Sequence, residues 1–170
     1  ALVAETNPDF IRFFYACQYA GLIPVALPSS VKVGAHCAYV AQLHLLLQAS
    51  DAVIGVASEG YLPFLREASA GLDIRMVDAP EMFYALPTVE QQLPAINQED
   101  ISYIQYTSGS TRFPRGVIIK HRTAMANLHG IIAHGLKMTA EDRMMSWLPL
   151  YHDMGLVGFV LVPIAAQVTI

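Results

Sequence analysis

Charge is what this 170-residue sequence has least of. Only 14% of its residues are Asp, Glu, Lys or Arg, against roughly 25% in an ordinary soluble domain. The net charge of −4 at pH 7 is spread without blocks, which offers nucleic acid no electrostatic footprint. Cysteine is scarce too. Cys17 and Cys37 show neither metal-ligand spacing nor a disulfide framework, so reduced thiols in a cytoplasmic setting are expected. No apolar run is long enough for stable membrane insertion. The best, Met154 to Ala166, is too short and carries Pro163 and two glycines. No signal-peptide pattern opens the chain. Familiar site signatures are missing as well. There is no G-x-x-x-x-G-K-[ST] phosphate loop, no G-x-G-x-x-G dinucleotide turn and no G-x-S-x-G nucleophile elbow.

Apolar residues are what the chain has in excess. They make up 54% of it, more than a free-standing domain of this size should carry. With Ala1-Leu2-Val3 at one end and Val168-Thr169-Ile170 at the other, residues 1–170 read as a slice of a larger protein, truncated at both ends. Short apolar runs alternate with helical periodicity. Asn7-Pro8-Asp9 starts a helix, Phe10, Phe13, Phe14, Cys17 and Ala20 recur at helical spacing, and Gly21 can end it. Strands are predicted at 22–27, 52–56 and 74–77, with helices over 35–49 and 61–70 between them. Residues 79–100 hold Pro80, Pro87 and Pro94 and read as a surface connection. Strands follow at 101–106 and 117–120, a helix at 122–136, a strand at 144–148, a loop at 149–155 and a helix from Leu156. The fold class this predicts is α/β: a layered, mainly parallel sheet with flanking helices.

The densest chemical signal lies between the strands at 101–106 and 117–120. Thr107-Ser108-Gly109-Ser110-Thr111 combines hydroxyls, backbone amides and little bulk, which suits a polyphosphate. Gly109 can take a positive φ and let amides converge on an anion. Pro114 stiffens the far side, and Arg112 and Arg115 add guanidinium charge. The plain alternative is a polar loop joining two strands.

The flanking residues favour the sharper reading. Tyr106-Thr107-Ser108-Gly109-Ser110-Thr111 followed by Pro114-Arg115-Gly116-Val117 resembles the phosphate-loop signature of adenylate-forming enzymes. These are the acyl-CoA synthetases, peptide-synthetase adenylation domains and luciferases. Downstream, Ser146-Trp147-Leu148-Pro149-Leu150-Tyr151-His152-Asp153-Met154-Gly155-Leu156 is similar to their second signature. Tyr19-Ala20-Gly21-Leu22-Ile23-Pro24-Val25 looks like the helix–Gly–strand segment that precedes both. Most of the superfamily has Gly and then x-P-K-G where this chain has Arg112 and Arg115. The form found here is similar to that of the fatty acyl-AMP ligases.

The resemblance covers nearly the whole chain and implies that residues 1–170 are part of the large N-terminal AMP-binding domain, without the C-terminal domain. It implies attack of a fatty carboxylate on ATP, release of pyrophosphate, and transfer of the acyl group to an acyl carrier protein. Thr107, Ser108, Gly109, Ser110 and Thr111 would hold phosphates, Arg112 would add charge, and His152 would sit near the reacting carboxylate. Mg²⁺ is implied with ATP, its carboxylate ligand lying beyond residue 170 and no metal ligand within the chain. Coenzyme A as acceptor and a non-catalytic scaffold are the competing readings; an amino-acid adenylation domain is disfavoured by Tyr151-His152-Asp153-Met154-Gly155. The fragment by itself is expected to be inactive. In an extended loop the side chains of His152 and Asp153 diverge, and Asp153 reads as a cap for the next helix. Trp147 and Tyr151 read as core packing. Met154, Leu156, Phe159 and Val160 fit either an acyl tunnel or a buried helix face. His36, His44, His121, His129 and His134 receive no role.

Overall fold

A strand followed by a helix brings the chain back to start the next strand in the same direction, so the first half can only build a parallel sheet. The computed structural model describes residues 1–29, 35–90, 92–107 and 115–170. Strands β1 (Leu2–Val3), β2 (Ala26–Leu27), β3 (Ile54–Val56) and β4 (Met76–Asp78) form a four-stranded sheet in the order β2-β1-β3-β4, parallel throughout. Helices α1 (Pro8–Tyr19), α2 (His36–Ala49) and α3 (Leu62–Ala68) connect them.

Successive strand residues face opposite sides, and each pair splits between two cores. Leu2, Ala26 and Val56 join Phe10 and Phe14 of α1. Val3, Leu27 and Ala57 join Tyr39, Leu43, Leu46 and Leu47 of α2 and Leu65 of α3. The sheet is therefore covered on both faces, as a parallel sheet must be. The connections leave β1 on one side and return on the other. A small cleft opens at this switch point, between Val3, Glu5 and Asn7 at the end of β1 and Val56, Ala57 and Ser58 at the end of β3.

Local chemistry explains the α1 boundaries. Asn7 is extended and its side chain accepts the Phe10 N–H at 2.9 Å, Pro8 occupies the first turn, and Gly21 at φ +70 stops the helix. A Cβ on Gly21 would also lie 2.9 Å from Pro94 Cγ.

The second half departs from the parallel rule. Strands β5 (Ile101–Tyr106) and β6 (Gly116–Lys120) make an antiparallel hairpin, with Gln105 opposite Val117 and Tyr106 opposite Gly116. A parallel bridge between Val25 and Ile104 attaches it to the β2 side of the sheet. The predicted surface connection contains one short helix, α4 (Pro80–Tyr84), packed on α1 through an edge-on Phe13–Phe83 contact.

Three predictions need correction. The strand at 22–27 shrinks to two residues because only its end meets a partner. The helix predicted over 122–136 is α5 (His121–His129) followed by a π-helical turn, Gly130–Gly135, which carries the Leu136 amide onto the Ile131 carbonyl. No strand forms over 144–148: Arg143 bridges Thr169 and Met144 bonds its carbonyl, but no ladder continues. An apolar run becomes a strand only where another backbone can pair with it. The chain ends in a π-helical segment, Met154–Leu161, running into α6 (Val162–Ala166). Among the described residues no helix is long and apolar enough to cross a membrane.

Two measurements check this packing. Leu43 is fully buried, so Leu43→Ala should lower unfolding free energy by about 2–5 kcal/mol in denaturant titration. The Tyr84 hydroxyl donates to Asp9 at 2.7 Å and, with Arg12, holds that carboxyl below its usual range. A carboxylate depressed in the folded state stabilises above its unfolded pKa, and that contribution disappears as pH falls through the folded value. Tyr84→Phe should therefore move the Asp9 NMR titration upward toward the ordinary carboxylate range.

Candidate functional site

The predicted phosphate loop falls in the sequence between β5 and β6. Ser108, Gly109, Ser110, Thr111 and Arg112 lie outside the described residues; Thr107 and Arg115, at its two roots, lie within them. The Thr107 N–H donates to the Arg115 carbonyl at 3.1 Å, closing the loop at its base. Below it, the ring of Tyr106 covers Gly116: a Cβ there would stand 3.2 Å from Tyr106 Cε1 and 3.1 Å from Ile104 Cγ2. An aromatic side chain lying over a cross-strand glycine fixes hairpin register. The Tyr106 hydroxyl then donates to the Leu46 carbonyl at 3.3 Å, tying the root to α2.

The second motif forms a tight turn. The His152 N–H donates to the Pro149 carbonyl at 3.1 Å, and the Leu156 N–H to the His152 carbonyl at 2.8 Å. Asp153 caps the helix as predicted, accepting the Met154 N–H at 2.7 Å. Gly155 makes the turn possible, because a Cβ at this position would lie 2.1 Å from the Pro149 oxygen.

The expectation that His152 and Asp153 diverge is overturned. His152 Nδ1 lies 2.6 Å from Asp153 Oδ1. The reason is backbone conformation: Asp153 is already helical, at φ −54 and ψ −47, where neighbouring side chains are not set to opposite faces. Both side chains are solvent-exposed. Trp147 is the second correction. Read as core packing, it is 86% exposed, since the strand that would have seated it does not form. Tyr151 is half-buried against the α1-side core. Of the stripe assigned to a tunnel or a buried face, Leu156 and Val160 are core and Met154 points outward.

Sequence reasoning missed the residue that joins the two motifs. The Gln105 amide, buried on β5, donates to the Tyr151 carbonyl at 3.3 Å across 46 residues of sequence. Its signal was available: an amide at an inward position of an apolar strand needs a partner. Tyr103, two residues earlier on the same side of the strand, has its hydroxyl pKa raised by burial, and the Asp153 charge acts in the same direction. The hairpin root and the His152 turn therefore adjoin. Among the described residues no group of three or more His, Cys, Asp or Glu could hold a metal ion.

A doubly covered parallel sheet thus carries an attached hairpin, with a His-bearing turn held beside the hairpin root. The chain belongs to the AMP-binding enzyme family, whose model matches residues 1–170. It is 44% identical to a putative acyl-CoA synthetase of Caulobacter vibrioides, over 100% of this chain and 29% of that protein. It is 36% identical to a long-chain-fatty-acid–AMP ligase of Mycolicibacterium smegmatis, over 96% of this chain and 26% of that one. Among solved structures, one from studies of fatty acyl-adenylate ligases of E. coli and L. pneumophila superposes with a TM-score of 0.93 at 44% identity, covering 99% of this chain and 30% of that one. A fatty acyl-adenylate ligase from L. pneumophila, in complex with acyl adenylate and pyrophosphate, gives 0.80 at 29% identity, over 99% of this chain and 28% of that one. The chain thus spans less than a third of the length of each of these relatives.

The Gly155 contact gives a sharp test. Gly155→Ala should lose about 3 kcal/mol or more, because backbone rather than a flexible side chain must move. Gly158→Ala, whose Cβ would meet only Met154 Cγ at 3.9 Å, should be neutral or stabilise by up to about 1 kcal/mol. Chemical denaturation of both variants measures the difference.

Proposed function

We propose that the protein, as part of a longer enzyme, activates a fatty acid with ATP and hands the acyl group to an acyl carrier protein. A carboxylate oxygen attacks the α-phosphorus, the α–β phosphoanhydride bond breaks, and pyrophosphate leaves with the electron pair. The acyl adenylate then reacts with a pantetheine thiol, releasing AMP. The observation that carries this reading is the adjacency of the two signature segments, linked from Gln105 to Tyr151. Relatives named as fatty-acid–AMP ligases support it.

In this reading Thr107, Ser108, Gly109, Ser110 and Thr111 hold the β- and γ-phosphates, with Arg112 adding charge. Phosphoryl-centred displacement needs positioning and charge neutralisation more than covalent chemistry, and hydroxyls and amides on a hairpin tip supply donors without bulk. Arg115, exposed at the loop root, adds a cation there. His152 lies on the carboxylate side, near the reacting acid, its ring oriented by Asp153. Mg²⁺ accompanying ATP would neutralise phosphate charge; its protein ligands are placed outside this segment. The reading includes a cytoplasmic enzyme in which residues 1–170 are one portion of the adenylation domain and a separate C-terminal domain completes the site. A second reading, coenzyme A as acceptor, is favoured by the name of the Caulobacter relative; Arg112, departing from the commoner pattern, weighs against it.

The test uses the full-length protein. Ser108→Ala combined with Thr111→Ala should slow fatty-acid-dependent pyrophosphate release by about 100-fold or more. That corresponds to two hydrogen bonds to charged oxygens at roughly 1.5–3 kcal/mol each. The melting temperature should change little. Undiminished release, or unfolding in place of lost activity, would remove these hydroxyls from the chemistry. Mass spectrometry of the acylated product, with carrier protein and coenzyme A supplied together, decides the acceptor.

A further inference from the structure

The turn that carries His152 is internally complete but held from outside. Its Pro149 and His152 carbonyls accept bonds from within the turn, and Gly155 packs its start against Pro149. Such a unit moves as a body. The Tyr151 carbonyl takes its donor from elsewhere, from the Gln105 side chain on β5.

Gln105 is 8% exposed in a strand otherwise composed mostly of aromatic and aliphatic residues. Burying an amide is unfavourable unless it is bonded, so packing by itself would favour an apolar residue here. The position is also telling. Gln105 faces Val117 across the hairpin and stands two residues before Thr107, roughly 7 Å along the strand.

We propose that Gln105 is a positioning residue that sets the offset between the hairpin root and the His152 turn, so that the phosphate side and the carboxylate side of the site are aligned as one unit. This rests on the activity proposed above. Gln105 touches neither substrate nor phosphate in this scheme. It acts through the Tyr151 backbone, so it governs alignment for in-line attack rather than nucleotide affinity.

Two variants of the full-length protein test it. Gln105→Met keeps length and removes the donor. It should lower kcat for pyrophosphate release at least tenfold while KM for ATP stays within twofold. Hydrogen exchange at the Met154 and Leu156 amides should accelerate about tenfold, with α5 unchanged. Gln105→Glu separates donation from packing, because a protonated carboxyl can donate to the Tyr151 carbonyl and a carboxylate cannot. Its kcat relative to the unsubstituted protein should rise as pH falls. Unchanged exchange and kcat in Gln105→Met would overturn the proposal, as would a Gln105→Glu profile parallel to the unsubstituted protein. If the unsubstituted protein releases no pyrophosphate with any fatty acid, the activity falls. The exchange measurement then still supports or overturns the tether by itself.

Discussion

One strand, Ile101–Tyr106, is the constraint on which the rest of the molecule depends. Because its side chains alternate, it serves two cores and five neighbours at once. Ser102 accepts the Gln18 amide of α1 at 2.7 Å. Tyr103 packs its ring on Phe14. Ile104 takes its backbone partner from Pro24 and joins the hairpin to the sheet. Gln105 holds the Tyr151 carbonyl, and Tyr106 covers Gly116 and reaches α2. Slipping this strand by one residue would exchange the two sets of partners, so its register is fixed several times over.

That over-determination fits what the strand leads into. A loop between two strands takes its placement from its roots. The Thr107–Arg115 bond and the Tyr106–Gly116 stack provide those roots. On the other side the His152 turn is kept rigid by Gly155, where no side chain fits. The two parts share apolar packing through Tyr103, Leu150 and Leu156, and the Gln105 amide adds a directional bond between them.

Much of the layering could be read from residues alone. Asn7-Pro8-Asp9 and Gly21 bracket α1 because caps are local chemistry, set by groups within a few residues. The helix over 35–49 was legible too, and Leu43 and Leu47 lie on its buried side. The cap at Asp153 was legible for the same reason. Strand 144–148 was not, because a strand exists only through a partner supplied from elsewhere. Trp147 was misread along with it. The His152–Asp153 pair was misjudged because extended backbone was assumed where the helix had already begun.

The amino-acid sequence by itself determined the chemistry and the period of each segment: hydroxyls and glycines between two β runs, a histidine in a Pro–Gly turn, apolar residues at helical or strand spacing. These are properties of neighbours along the chain. Tertiary structure alone decided which segments meet: that β5 turns antiparallel to β6, that the sheet order is β2-β1-β3-β4, and that Gln105 finds Tyr151. Contacts across 46 residues depend on loop closure and on two cores filling together, and no local pattern encodes them.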